Sequence, residues 1–416
     1  MEKYVSELNW GDEMEFPSSR AGAMYSHVVG ARYPCRSVPY VPRLILDEIR
    51  KNKVGNVNVL DPFMGSGTTA LEANLCSFNV FGLEVDPYAR MIGEASVKKF
   101  TEKELENLQA FQAALPDLFQ STRLSNAYIP DIANIEHWFP EENIKNLAKL
   151  KRVILEYVEN NPIFEKFLLS AFGDIIRAAS FAERQSLKPY VSTRYRKQPG
   201  EVLPLYLKCL DKYLVGAKSV SALSVYGAGK INWIQGNATN FEAPEEIDVA
   251  ITSPPYINAM DYVRCIKLES SWVGTGSATV FSEVRSSQLG ESARVKLKTV
   301  SEDVYQLIQP DFEKIALVDK ARAKTVGVYF EDMLSNLRCV YKSLKPGCSY
   351  HIIVGNSVVR EIDVHTHQYI GELAKIVGFE WTGYFKYQIK DHRTSLPRNG
   401  RGGKIEYEHV VSLLKP

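Results

Sequence analysis

No stretch of this 416-residue chain approaches the ~18 uninterrupted apolar residues that a membrane helix needs. The N-terminus MEKYVSELNWGDEMEF also lacks the charged-then-apolar layout of a secretory leader. These two absences place the protein, as an expectation, in the cytoplasm with no membrane partner. Cysteine is scarce and scattered: Cys35, Cys76, Cys209, Cys265, Cys339 and Cys348 show no CxxC spacing. That pattern speaks for reduced thiols and against a disulfide frame or a zinc site, so no metal is expected. Charge of one sign is lacking too, with 50 basic against 49 acidic residues and a net charge of +1. A nucleic-acid partner is neither supported nor excluded by that balance, because the local distribution of charge governs phosphate contacts. The chain has no internal repeat and no low-complexity tract, which removes solenoids and fibrous proteins from consideration.

What is present is a chain with 45% hydrophobic and 24% charged residues, enough for one large or two medium domains. Residues 57 to 61, VNVLD, form a short apolar run that stops at FMGSGTT and passes into ALEANLC. NVFGLEVDPYA follows as a second strand ending in acids. This β-α-β opening is the kind that begins a doubly wound parallel sheet. From about residue 100 to 222 the apolar residues recur at helical spacing instead, as in Ile144, Leu147, Leu150, Ile154 and in Phe164, Phe167, Leu168, Ala171, Phe172. Alternating runs return in KINWIQGNAT and IDVAITSPPY, then a helix, a Lys-Pro-Gly turn and the strand CSYHIIVGNS, and finally two strands, GFEWTGYFKYQI and KIEYEHVVSLL. The reading divides the chain into 1–99, a first part of an α/β core; 100–225, a helical insertion that forms a separate lobe; and 226–416, the second part of the core.

Ligands in open α/β sheets sit at the carboxyl ends of strands, where the strand order reverses. Asp61-Pro62-Phe63-Met64-Gly65-Ser66-Gly67-Thr68-Thr69 occupies that place after the first strand. Gly65 and Gly67 allow close backbone approach, and the helix that follows offers free N–H groups to an anionic group. Glu84, about 20 residues on at the end of the second strand, suits ribose hydroxyls, with Asp86 as its rival. The loop departs from the G-x-G-x-x-G dinucleotide fingerprint, reading G-S-G-T-T-A after Asp-Pro-Phe, which argues against a nicotinamide enzyme.

Ser253-Pro254-Pro255-Tyr256 projects from the end of another apolar strand. Its two prolines stiffen the turn and remove two backbone donors, leaving acceptors exposed. An exocyclic base amine needs such acceptors. Its lone pair is delocalised into the ring until the nitrogen moves toward tetrahedral geometry, and Ser253 Oγ with the Pro254 carbonyl would take its hydrogens. Tyr256 offers a flat face for a base flipped out of a duplex.

DPFMGSGTT together with TSPPY resembles the two signature motifs of the amino-methylating DNA methyltransferases of bacteria and archaea, and serine in the first catalytic position resembles their cytosine-N4 branch. Tyr33-Pro34 within SHVVGARYPCRSVPYVPRLI is similar to the motif that closes over the methionine end of the cofactor. The resemblance covers about 1–95 and 230–416 and leaves the helical block uncovered. It implies a Rossmann-like class I methyltransferase sheet, S-adenosylmethionine as methyl donor, and double-stranded DNA as substrate, with a cognate restriction endonuclease as a functional partner. It further implies that Tyr33, Asp61, Pro62, Phe63, Gly65, Ser66, Gly67, Thr68, Glu84 and Asn237 form the cofactor site and that Ser253 to Tyr256 take the target base. Adenine-N6 methylation, an RNA base or a protein amine remain open as alternatives, as does a non-catalytic subunit. Pro34-Cys35 resembles the nucleophile of cytosine-C5 enzymes. However, it precedes the cofactor loop, the wrong order for that class. The target-recognition region falls in the insertion, in the segment from 275 to 325, or in the segment from 390 to 404. Residues 184–198 hold five positive charges and no acid, and 390–404 hold five against Asp391 alone.

Overall fold

The computed structural model describes residues 5–17, 26–34, 36–52, 55–184, 186–223, 230–257, 261–289, 295, 298–390 and 405–416. Cys35 and the basic loop 391–404 lie outside the described residues.

The β-α-β opening is formed by β2 (Asn58–Asp61), a helix Thr68–Leu75 and β3 (Asn79–Gly82), with the two strands parallel and in register from Asn58↔Asn79 to Asp61↔Gly82. The remaining strands of the main sheet are β1 (Asp12–Met14), β4 (Asn232–Trp233), β5 (Ile247–Thr252), β6 (Leu344–Gly355), β9 (Glu380–Gln388) and β10 (Tyr407–Leu414). A separate hairpin pairs β7 (Ser357–Val359) with β8 (Ile362–Val364). Across the sheet the order is β1-β9-β10-β6-β5-β2-β3-β4. Every pairing is parallel except those of β10, which runs antiparallel to both β6 and β9. From β2 the chain steps outward to β3 and β4, then returns to β5 on the other side of β2. The switch point therefore lies between β2 and β5, and both of their carboxyl ends open there. This is the Rossmann-like class I methyltransferase arrangement.

In chain order the helices are α1 (Tyr40–Asn52), α2 (Thr68–Leu75), α3 (Pro87–Val97), α4 (Glu102–Ser121), the single turn α5 (Ile135–Trp138), α6 (Glu141–Glu159), α7 (Glu165–Ile176), α8 (Val202–Leu223), α9 (Tyr262–Val273), α10 (Ala278–Ser287), α11 (Glu302–Val318), α12 (Lys320–Ser343) and α13 (Thr366–Val377). Local chemistry starts several of them. Asp86 caps α3 by accepting from the Tyr88 amide at 2.8 Å, with Pro87 in the first turn, and Thr101 with Glu104 forms a reciprocal capping box on α4.

The central strands are covered on both faces. Leu60, Ala250, Tyr350 and Ile352 pack with α12 and α13, while Val59, Val249, Ile251 and Ile353 pack with α1 and α2. The helices from 100 to 223 build their core from Leu147, Leu168, Phe172, Tyr206 and Leu210, and this core is continuous with Tyr88 and Ile92 of α3 and with Leu268 and Trp272 of α9. The helical block is thus joined to the core by apolar packing rather than hinged on a linker. Two local expectations change. The Lys-Pro-Gly segment is the start of β6 rather than a turn before it, and β1 pairs parallel to β9 although DEM carries no strand pattern of its own. No helix among the described residues is long and apolar enough to cross a membrane.

Candidate active site

The loop after β2 is held from both sides of the switch point. Asp61 Oδ1 accepts from the Phe63 amide at 3.1 Å and from Thr252 Oγ1 at 2.5 Å, and the Phe63 amide also reaches Thr252 Oγ1 at 3.2 Å. Thr252 is the last residue of β5 and precedes Ser253, so one hydroxyl ties the glycine loop to the serine-proline turn. Toward β3, the Met64 amide donates to the Leu83 carbonyl at 3.0 Å and the Gly65 amide to Glu84 Oε2 at 2.8 Å. Glu84 Oε1 accepts from the Asp86 amide at 2.8 Å. Asp86 itself is spent on capping α3, so of the two it is Glu84 that faces the cleft.

The glycines are required where they stand. Gly65 and Gly67 have φ of 52° and 83°, and a Cβ on Gly67 would lie 3.0 Å from Gly93 Cα. Gly67 is also the N-cap of α2, and no side chain caps that end. The positive end of the helix is therefore turned toward the cleft with its capping role unfilled.

These elements enclose a cleft at the carboxyl ends of β2 and β5. Tyr33, Asp61, Pro62, Phe63, Gly65, Ser66, Thr68, Glu84 and Asn237 line it, together with Ser253 and Pro255. Of the expected set, Gly67 lies behind the wall, shaping the loop, while Pro254 and Tyr256 lie outside the lining. Asn237 also closes its own turn, where its Oδ1 accepts from the Thr239 amide at 2.9 Å and the Thr239 hydroxyl at 2.8 Å. Arg36, Tyr262 and Gln288 line the cleft without having been legible in the sequence.

Tyr33 is brought over Gly65 by contacts from the helical block. The Gly30 amide donates to the Tyr213 hydroxyl at 2.8 Å, that hydroxyl donates to Asp174 at 3.0 Å, and the Arg32 amide reaches Asp174 at 3.3 Å. The other end of this segment is pinned by Glu72 of α2, which meets His27 at 2.7 Å and Arg43 of α1 at 2.9 Å.

Tyr256 points toward β10, where its hydroxyl donates to Glu408 Oε1, and Tyr387 donates to the other oxygen of the same carboxylate. A Cβ at Gly355 would sit 3.2 Å from the Tyr256 ring, so the bare backbone of β6 forms the backstop of that ring. Glu408 is buried, and burial raises its carboxyl above the usual range. The only signal of Glu408 in the sequence is an acid at the start of an apolar strand.

Burial dominates the titration of the cleft acids. It raises Asp61 to about 6, and with help from the Asp86 carboxylate it raises Glu84 to about 7. A carboxylate forced to give up water gains most from a ligand that brings its own hydrogen-bond donors. The cleft fits S-adenosylmethionine in these terms: a bare glycine loop, an uncapped helix end for a carboxylate, and Glu84 with lone pairs left for hydroxyl donors.

No protein-family model matches the chain. It is 23% identical over 365 residues to the Type II methyltransferase M.MvaI of Kocuria varians, covering 82% of this chain and 80% of that one. It is 20% identical over 381 residues to the Type II methyltransferase M.AvaI of Anabaena variabilis, covering 82% and 77%. Among solved structures, the rRNA methyltransferase aviRa from Streptomyces viridochromogenes aligns over 94% of this chain and 92% of its own at 11% identity, with a TM-score of 0.34, a superposition too loose to bear on function. At such identities no single relative lends the chain its specificity, but the chemistry the sequence relatives share and the open, mixed sheet with its cleft agree on the class: this is an S-adenosylmethionine-dependent methyltransferase.

Proposed function

We propose that the chain methylates the exocyclic N4 of cytosine in duplex DNA, by direct displacement on a flipped-out base. The observation that carries this reading is the presence of Ser253 and Pro255 in the wall of the same cleft as Gly65 and Glu84, across the Asp61–Thr252 bond. The bound cofactor supplies an electrophilic methyl group. Ser253 Oγ and the Pro254 carbonyl accept the two amine hydrogens and orient the nitrogen lone pair into the cleft. Tyr256, fixed through its hydroxyl by Glu408, flanks the entering base. Asp61, Phe63, Gly65, Ser66 and Thr68 hold the methionine and adenosine portions, Glu84 takes the ribose hydroxyls, Asn237 borders the adenine, and Tyr33 closes the methionine end. The Type II methyltransferase relatives support a base amine as target, and a restriction endonuclease of the same recognition sequence would be the functional partner.

The test is incubation with S-adenosylmethionine and unmethylated genomic DNA, digestion to nucleosides and mass spectrometry. N4-methyldeoxycytidine is the expected product. N6-methyldeoxyadenosine would keep the mechanism and overturn the target. Methylated nucleosides from RNA alone, with none from DNA, would overturn the substrate.

A further inference from the structure

Arg184 and the segment from Ser186 to Gln198 present an outward cationic face on an inward frame of buried bonds. Their frame is Arg177, at the end of α7, which is only 6% exposed. Arg177 donates to the Ser186 carbonyl at 3.0 Å, to the Cys265 carbonyl of α9 at 2.7 Å and to Glu269 of α9 at 3.1 Å. From inside the segment, Lys197 Nζ donates to the carbonyls of Arg177 and Ala182, each at 2.7 Å. The Glu183 amide bonds the Tyr190 carbonyl at 3.0 Å, and the Gly200 amide the Ala178 carbonyl at 3.1 Å. The backbone is thus fixed at both ends and in its middle.

The outer side is different. Arg184, Lys188, Arg194 and Arg196 are exposed, Tyr190 is 44% exposed and Tyr195 is 72% exposed. Among the described residues, no carboxylate forms an ion pair with any of those four cations. Two of the guanidinium groups are oriented by aromatic rings instead, Arg194 at 5.4 Å from the Tyr195 ring centroid and Arg196 at 3.6 Å from that of Phe181. Burial lowers the Lys197 ammonium to about 8, and Arg184, Arg177 and Arg32 push it the same way against Glu183. Arg32 immediately precedes Tyr33, which lines the cleft.

Concentrating like charges costs free energy unless a polyanion relieves it. A pre-ordered row of guanidinium groups with exposed phenols matches the sugar-phosphate backbone of a duplex, where arginines contact phosphates and register is set without reading bases. We infer that Arg184–Gln198 is the surface on which duplex DNA docks through its phosphates, and that the Arg177–Glu269 pair couples this surface to α9, the helix that follows the catalytic turn. The inference rests on the DNA reading of the site and adds where the duplex lies.

The test compares wild type with Arg194→Ala/Arg196→Ala, whose side chains are exposed, and with Lys103→Ala on α4 as a control for loss of a surface charge. A fluorescently labelled DNA duplex is titrated from low to moderate salt, alongside S-adenosylmethionine binding and the nucleoside assay. Losing two phosphate contacts should weaken duplex binding about 10-fold or more near 0.1 M salt and lower the slope of log Kd against log salt by about 2, with cofactor affinity and the Lys103→Ala protein unchanged. Wild-type methylation of DNA combined with unchanged duplex affinity and salt slope in the double variant would overturn the docking surface and leave the DNA reading standing. A wild type that binds duplex RNA but no DNA, and modifies only RNA, would overturn both.

Discussion

The proposed cofactor half and the proposed base half of the cleft are built on opposite plans. Asp61, Gly65, Gly67 and Glu84 come from one β-α-β unit, and their mutual bonds span at most 19 residues of sequence. Ser253 and Tyr256 depend on partners far away in the chain: Thr252 meets Asp61 across 191 residues, and Tyr256 meets Glu408 across 152. The difference separates two kinds of information. A glycine loop between two adjacent parallel strands is dictated locally by turn chemistry. The serine-proline turn acquires its orientation only once β5, β6 and β10 are aligned beside each other.

If the halves are functionally separate, a single change should silence one and spare the other. Ser253→Ala is expected to have the largest effect, lowering turnover by about 10²–10³-fold, the scale of losing one preorganised polar contact to the reacting group. Its cofactor affinity, followed by calorimetry, should match wild type, and equal loss of both would refute the separation. Gly67→Ala should do the converse. The left-handed φ and the approach to Gly93 should cost about 1–2 kcal/mol of stability and weaken cofactor binding at least about 10-fold, read by thermal melting and titration.

A smaller effect sharpens the base half. Glu408→Ala strands the buried Tyr387 phenol and the half-buried Tyr256 phenol and should lower kcat by roughly 10-fold, whereas Glu408→Gln, which can still accept from one and bond the other, should recover most of it. Cofactor affinity should be untouched in both. If the Gln variant were as impaired as the Ala variant, hydrogen bonding to Tyr256 would not be what the acid provides.

The smallest effect concerns pH and the cofactor half. An acid raised by burial to about 7 is mostly protonated in the free protein below that pH, while hydroxyl donors of a ribose favour its ionised form. Cofactor affinity should therefore tighten several-fold as pH rises through about 7, and Glu84→Gln should flatten the profile. The same shift has a sign for stability. Native Glu84 holds a proton that the unfolded chain has already released between about pH 4.5 and 7, and native Asp61 and Asp174 do so between about pH 3.8 and 6, so each contributes stability at low pH that is lost as pH rises through its folded value.

Much of this was legible before the fold was known. Val57–Asp61 with GSGTT announces strand, turn and helix because an apolar run, glycines with positive φ and a helix-forming stretch follow in order. IDVAITSPPY announces a buried strand ending in a stiff turn. Glu408 was not legible, since an acid in an apolar strand shows no partner until β10 lies beside β9 and β6. Arg36, Tyr262 and Gln288 reach the cleft from loops and a helix whose direction depends on packing. β1 was missed for a related reason: its three residues have no alternation, and only the free edge of β9 makes them a strand.

The sequence by itself determined the α/β alternation, the glycine loop, the proline-stiffened turn and the positive charge of residues 184–198, because each follows from torsional preference, periodicity or composition within a short window. Tertiary structure alone decided that β10 enters antiparallel between β6 and β9, that Thr252 links the glycine loop to the serine-proline turn, that Glu408 holds Tyr256, and that the helical block carries Tyr33 to the cleft. Those contacts join residues dozens to hundreds of positions apart, and only the burial of apolar faces against one another brings them within hydrogen-bond reach.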